Sequence, residues 1–310
     1  MATRAWVTGA QGFFGARAAL ALDAQGFDVI RIARRPWSEG SSSRCETVTL
    51  DEASLDSVAD RHGAPDLIFH CAGNGSVGRS FEDPDADRHS AAGTTGALLA
   101  VMAARAPRAC LIFPSSAAVY GEQGTAPLAE ILKPAPVSPY GVHKLEAEAL
   151  CRNSGLRTIV IRYFSLYGPG LRKQLFWDLA GKLNAAGSGK PVTLFGTGDE
   201  TRDFLDVDDA VALAMHLFER RSEGVMLVNG GTGHSVRIRD AASLLRDALG
   251  HSNPLHFSGE STPGAPPHLV ADVKHAAELG FTPEKKFEQG IVHYAEWVRR
   301  EGRRHERHHA

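Results

Sequence analysis

Three residues carry the first chemical signal. Ser116 follows an apolar run, Cys110–Pro114, that reads as a strand. Tyr140 and Lys144 are four apart in SPYGVHK (138–144), so on a helix they share a face. A phenol ordinarily keeps its proton up to about pH 10, and a neighbouring ammonium favours phenolate and lowers that value. Tyr140 is therefore expected to exchange a proton with a substrate hydroxyl or carbonyl near neutral pH, with the Ser116 hydroxyl bonded to the same oxygen. His143 lies between them in sequence and is expected to project to another face, at the surface.

A second signal lies near the start. Thr8–Gly15 reads TGAQGFFG, a GxxGxxG pattern after a strand and before a helix. Gly9 suits a tight turn, Gly12 lets backbone approach a pyrophosphate, and Gly15 lets the helix pack close to the strand. Phosphates would sit on the helix N-terminus, where free N–H groups and the dipole favour anions. An acidic residue at the end of the second strand would hold the ribose of NAD, but Ala33-Arg34-Arg35 stands there. Two guanidinium groups suit a 2′-phosphate, so NADP is favoured and NAD is the alternative. Solvated loop charges are the bland reading of the same arginines. Asp51, with Glu52 next to it, ends a third strand and reads equally as an acceptor for the adenine amino group or as a helix N-cap.

The elements that must position these residues alternate. Strand patterns at Ala5–Thr8, Asp28–Ile32, Glu46–Leu50, Leu67–Cys71, Cys110–Pro114 and Thr158–Tyr163 interleave with helical ones at Gly15–Gln25, Ser54–His62, Ser90–Ala104 and Ser138–Ser154. That order predicts an α/β fold, a Rossmann-type doubly wound parallel sheet. The dinucleotide-binding domain is expected over 1–168 with returning segments about 206–235. A smaller C-terminal substrate-binding lobe is expected over 169–205 and 236–310. A strand at Gly224–Asn229, helices at Ile238–Leu249 and Phe287–Arg299, and a Pro-rich stretch at Thr262–Pro267 fall in this half. The end, Arg303–Ala310, reads as a frayed, solvated tail rather than a metal site.

Composition narrows the classes. The 310 residues are 43% hydrophobic and 23% charged, with a formal net charge of −2, which argues against nucleic acid as a partner. No apolar run reaches the roughly 18 residues of a membrane span. The strand beginning at Ala5 leaves no room for a signal peptide. The four cysteines form no CxxC, so no metal site is expected and a cytoplasmic location fits.

The motifs together resemble the extended short-chain dehydrogenase/reductase superfamily, in its NAD-dependent epimerase/dehydratase branch. TGAQGFFG (8–15), DLIFHCAG (66–73), SSAAVYG (115–121), SPYGVHK (138–144), RYFSLYGPG (162–170), GTGDETRDFLDVDD (196–209) and TPGAPPHLVADVKHAAELGF (262–281) carry the likeness, nearly end to end. The resemblance implies Ser116, Tyr140 and Lys144 as catalytic residues. It implies Phe13, Phe14, Asp51, Ala72 and Phe164 as further cofactor contacts, and Ser165 and Arg202 as sites touching a nucleoside-diphosphate sugar. It also implies a homodimer through Ser90–Ala104 and Ser138–Ser154. Departures matter too. Ala117 and Ala118 stand where sugar dehydratases resemble this pattern but carry acids, which argues against elimination. Ser90 and Ser165 replace the Asn of UDP-galactose 4-epimerase, and Asp206 replaces a frequent His. Thr262–Ala265 lacks a second diphosphate-binding Arg, for which Arg172, Lys173 or Gln174 can substitute. The leading expectation is NADPH-dependent reduction of a 4-keto sugar nucleotide. The alternative is a nucleotide-sugar 4-epimerase with retained NAD, and a third reading is a non-catalytic dinucleotide-binding regulator.

Overall fold

The computed structural model describes residues 2–38, 44–260 and 264–308. The chain begins with strand β1 (Arg4–Thr8), helix α1 (Phe13–Ala24), β2 (Asp28–Ala33), β3 (Cys45–Thr47), α2 (Glu52–His62) and β4 (Leu67–His70). Two short helices follow, α3 (Val77–Glu82) and α4 (Pro84–Arg88), and a π turn at His89–Gly93 leads into α5 (Thr94–Arg105). Then come β5 (Cys110–Ser116), α6 (Pro139–Asn153) and β6 (Thr158–Tyr163). The later half adds β7 (Ser165–Tyr167), α7 (Gln174–Ala186), β8 (Val192–Leu194), β9 (Thr201–Arg202), β10 (Phe204–Asp206), α8 (Val207–Glu219), β11 (Val225–Gly230), α9 (Ile238–Ala248), α10 (Lys274–Glu278) and α11 (Phe287–His308).

Seven parallel strands form one sheet in the order β11-β6-β5-β4-β1-β2-β3. Side chains of a strand alternate between faces, and β1 shows the consequence. Ala5 and Val7 join the core under α1 and α8, with Ala18, Leu22, Leu213 and Leu217. Trp6 joins the opposite core with Leu55 of α2, Leu98 and Met102 of α5, and Ala147 of α6. Both faces are thus covered, as an all-parallel sheet requires. The strand order reverses between β1 and β4, which opens a crevice at their C-terminal ends.

A third core lies beyond that crevice. Phe176 and Leu179 of α7, Leu245 of α9 and Tyr294 of α11 pack with Tyr167 and Phe204. Phe287, the first residue of α11, stacks on Phe204 at 4.9 Å between centroids. This third cluster is built mainly from the later half of the chain. The third strand is shorter than the sequence pattern suggests, because pairing with β2 ends at Thr47. The last helix also runs further than the Phe287–Arg299 expected, its backbone continuing to His308 and so into the tail that begins at Arg303.

Candidate active site

At the crevice, Gly9 turns the chain with a φ of +65°. A Cβ there would sit 2.7 Å from the Ala72 backbone nitrogen, so only glycine lets the turn lie against the end of β4. A Cβ on Gly15 would lie 2.3 Å from the Gly9 oxygen, which fixes how tightly α1 packs on its own turn. Gly12 is the N-cap of α1 and has no side chain to satisfy the first N–H groups. Those free donors face the crevice mouth and fit a pyrophosphate. The Phe14 ring packs edge-on against Phe69 and Tyr163 at 5.4 and 5.1 Å, and Phe13 packs toward the smaller lobe. Packing occupies both rings, so what they offer a dinucleotide is backbone N–H.

The turn is braced by a residue that sequence reasoning did not single out. His70 is buried at the end of β4, its Nδ1 2.7 Å from Thr8 Oγ1 and its Nε2 3.3 Å from Thr94 Oγ1. Burial, helped by the Lys144 charge, pushes the imidazole down to about 3, so it stays neutral. Thr8 Oγ1 in turn accepts the Ala72 N–H at 3.2 Å. Arg34 and Arg35 are exposed at the end of β2, and neither guanidinium has a partner among the described residues. Asp51 caps α2, accepting the Ser54 N–H at 2.8 Å, and Glu52 opens that helix. The N-cap reading of Asp51 is therefore the one the geometry displays.

Ser116, Tyr140 and Lys144 do come together. Ser138 caps α6 through the Gly141 N–H and Pro139 takes its first turn, which places Tyr140 and Lys144 at the start of the helix beside β5. Gly141 is required here, since a Cβ would meet the Ala118 oxygen at 2.6 Å. Ser116 lies near enough to the Tyr140 hydroxyl to favour its ionised form, and its own Oγ accepts the Ala118 N–H at 3.2 Å. Lys144 Nζ donates to the Pro114 carbonyl at 2.9 Å and lies 4.8 Å from the Phe113 ring centroid. Phe164 is buried behind Tyr120, and Ser165 opens β7.

The electrostatics differ from expectation. Burial pushes the Tyr140 phenol up to about 12, and Ser116 only partly opposes it. Lys144 does not pull it down as the four-residue spacing suggested. Burial drives Lys144 itself down to about 8, and its Nζ donates to a carbonyl. His143 departs from expectation as well. It is buried, with Nδ1 2.6 Å from Asp87 Oδ2 of α4. On α6 it turns toward Asp87 of α4, not toward solvent.

A cleft of about 900 Å³ is lined among others by Val137, Gln174, Leu194, Arg202, Gly264 and His268. Arg202 donates to the Thr201 and Pro267 carbonyls and has no carboxylate partner among the described residues, so its guanidinium is open to an anion. Buried Asp203 accepts N–H groups from Thr232, Gly233 and Ala271 and so anchors the strand that carries Arg202. Gln174 has a φ of +63° and reaches Gly75 O at 3.4 Å, as does Lys173 Nζ. Arg172 is not available as a second grip, being bonded to Glu301 and stacked over Trp297. Thr262 and Pro263 lie outside the described residues. Ser90 bonds Asn74 N and Asp87 O, and Asp206 caps α8 and holds Lys285. Among the described residues no group of three or more potential metal ligands occurs, and no helix is long and apolar enough to cross a membrane.

Residues 5–229 match the model of the NAD dependent epimerase/dehydratase family. The chain belongs to that family. Its members most like it include the UDP-glucose 4-epimerase of Azospirillum brasilense, 31% identical with 96% of this chain and 92% of the relative covered. The GDP-6-deoxy-D-mannose reductase of Pseudomonas aeruginosa is also 31% identical, over 80% of each chain. Among solved structures, MoeE5 in complex with UDP-glucuronic acid and NAD superposes with a TM-score of 0.86 at 29% identity, covering 96% of this chain and 99% of that one. The chain is thus an enzyme of the extended short-chain dehydrogenase/reductase type, with the Rossmann-type sheet expected from its motifs.

Proposed function

We propose that this enzyme is a nucleotide-sugar 4-epimerase that keeps its NAD bound. The observation that carries the reading is the Ser116–Tyr140–Lys144 group lying beside a Gly-rich turn and a cleft holding an unpaired Arg202. The epimerases and the NAD complex among its relatives support this reading over the reductase that the sequence alone favoured.

The helix N-terminus at Gly12 to Gly15 would hold the pyrophosphate, with Ala72, Phe164, Asp51 and Glu52 around the rest of the dinucleotide. A bound nicotinamide supplies a hydride acceptor and donor. Tyr140 takes the proton of the sugar 4-hydroxyl and later returns it. Ser116 bonds the same oxygen and holds C4 in register. Lys144 would hold the ribose. Arg202 clamps the diphosphate, with Gln174 and Ser165 on the sugar side. The protein would work in the cytosol as a homodimer.

A reductase using NADPH remains the second reading, and the unpartnered Arg34 and Arg35 favour it. The test is an incubation with UDP-glucose and no added reductant. UDP-galactose forms without net change in nicotinamide absorbance, and Tyr140→Phe lowers kcat by about 100-fold or more. Stoichiometric oxidation of NADPH by a 4-keto sugar nucleotide, with no interconversion of UDP-hexoses, overturns the epimerase in favour of the reductase.

A further inference from the structure

A carboxylate lies buried behind the proton-handling group. Asp87 of α4 has a side chain only 1% exposed. Its Oδ1 accepts the Asn74 amide at 2.7 Å and its Oδ2 the His143 ring nitrogen at 2.6 Å. Asn74 is itself fixed, accepting the Ser76 N–H and donating to the Ser76 carbonyl. Three segments therefore converge on this one group: the loop after β4, α4 and α6. Both carboxylate oxygens are thereby held in place. The Asp87 charge reaches both functional neighbours, opposing loss of the Tyr140 proton and favouring the Lys144 ammonium.

The other charges nearby are already matched. Glu148 also acts on Lys144, but its two oxygens are bonded to Arg162 and Ser115. Glu146 faces His143 from the same helix and is held by Arg88 of α4. Cys71, just after β4, is half-buried and desolvation pushes its thiol upward, so it stays protonated. From α3 comes only the Ser80 hydroxyl, which accepts the Tyr140 N–H at 3.0 Å. Among the described residues no guanidinium bonds Asp87, in contrast to Glu146 and Glu148.

We propose that Asp87, oriented by His143 and Asn74, is a positioning residue that governs the charge shared by Tyr140 and Lys144. It acts through those two and touches no reacting atom. In an epimerisation the proton taken from the 4-hydroxyl must stay on Tyr140 until C4 is reduced again. A fixed negative charge behind the phenol retains that proton, and the same charge keeps Lys144 protonated in a site whose burial disfavours it. The inference rests on the reading of Tyr140 and Lys144 given under the proposed function.

The experiment compares the NAD-loaded enzyme with Asp87→Asn, which keeps the shape and removes the charge. An ultraviolet difference titration, with Tyr140→Phe as the blank, reads the phenol without any turnover. The midpoint falls by about one pH unit in Asp87→Asn. In pH–rate profiles of UDP-hexose interconversion, both limbs move to lower pH together. A merely structural residue would lower the amplitude and leave both limbs in place. His143→Asn, whose amide can replace the ring N–H, keeps the parent midpoint, which also serves if Asp87→Asn folds poorly. Failure of the phenol midpoint to fall in Asp87→Asn, or a shifted midpoint in His143→Asn, overturns the proposal. Absence of turnover with an intact titration shift instead counts against the epimerase reading alone.

Discussion

Tyr140 and Lys144 are tuned by burial before they are tuned by each other. A phenol taken out of water resists becoming phenolate, and an ammonium taken out of water resists staying charged. Lys144 falls from 10.5 to about 8 for this reason. The sign has two opposite consequences. Between about pH 8 and 10.5 the unfolded chain binds a proton at this site that the folded chain has lost, so this group's contribution to stability rises with pH across that window. Activity is expected to run the other way, because in the proposed mechanism Lys144 holds the cofactor ribose as an ammonium. The kcat of the unaltered enzyme is expected to fall as pH rises through about 8. Lys144→Met should show a low, flat kcat there, and its unfolding free energy should lose the rise across the same window. Urea titrations and steady-state rates over that range check both. A limb that persists in Lys144→Met assigns it to another group. The YxxxK spacing made the pair legible. Its burial was not legible, since neither the depth of α6 nor the Pro114 carbonyl opposite Lys144 is written in the local sequence.

At the scale of elements, α6 was readable because its signals are local. Ser138 caps, Pro139 starts and the apolar face follows. Strands β1, β4 and β6 were readable because each is a short, mostly apolar run buried on both faces. Helix α8 carries a comparable signal, Asp206 as N-cap before acidic first-turn residues, but it follows several short strands and turns that obscure its start. Helix α7 begins at Gln174 with a left-handed backbone and no side-chain cap, so no local signal marks it. Least legible was what ties α6 to the sheet. Arg162 of β6 makes two bonds to Glu148 of α6, at 2.9 and 2.8 Å, and Ser115 of β5 adds a third at 2.6 Å. These partners come from three elements, and only the fold brings them together. Both charges are buried, so removing one leaves the other unmatched. Glu148→Ala is expected to lower the unfolding free energy by about 3–5 kcal/mol, measured by chemical denaturation. A loss under about 1 kcal/mol would show that α6 is held by its apolar contacts instead.

At the scale of the molecule, the same helix that carries Tyr140 and Lys144 leaves an apolar strip uncovered. Val142 and Leu150 of α6 are 48% and 37% exposed. They are eight residues apart, two turns along one face. Beside them α5 presents small residues: Gly96 lies against Leu150, and Ala100 and Ala103 are exposed. Small side chains let a second helix pair approach closely, and a two-fold arrangement would bury the strip on itself. The interface would also clamp the outer side of α6, so assembly and the placement of the proton-handling pair would be linked. Light scattering on the eluting protein should give the mass of two chains. Val142→Lys with Leu150→Lys should give the mass of one. Both positions are exposed in the single chain, so the double variant's unfolding free energy, measured at concentrations where both proteins are monomeric, should change by less than about 1 kcal/mol. If the unaltered chain elutes with the mass of one, the exposed strip on α6 is no subunit interface, and the charge substitutions should then leave its elution unchanged.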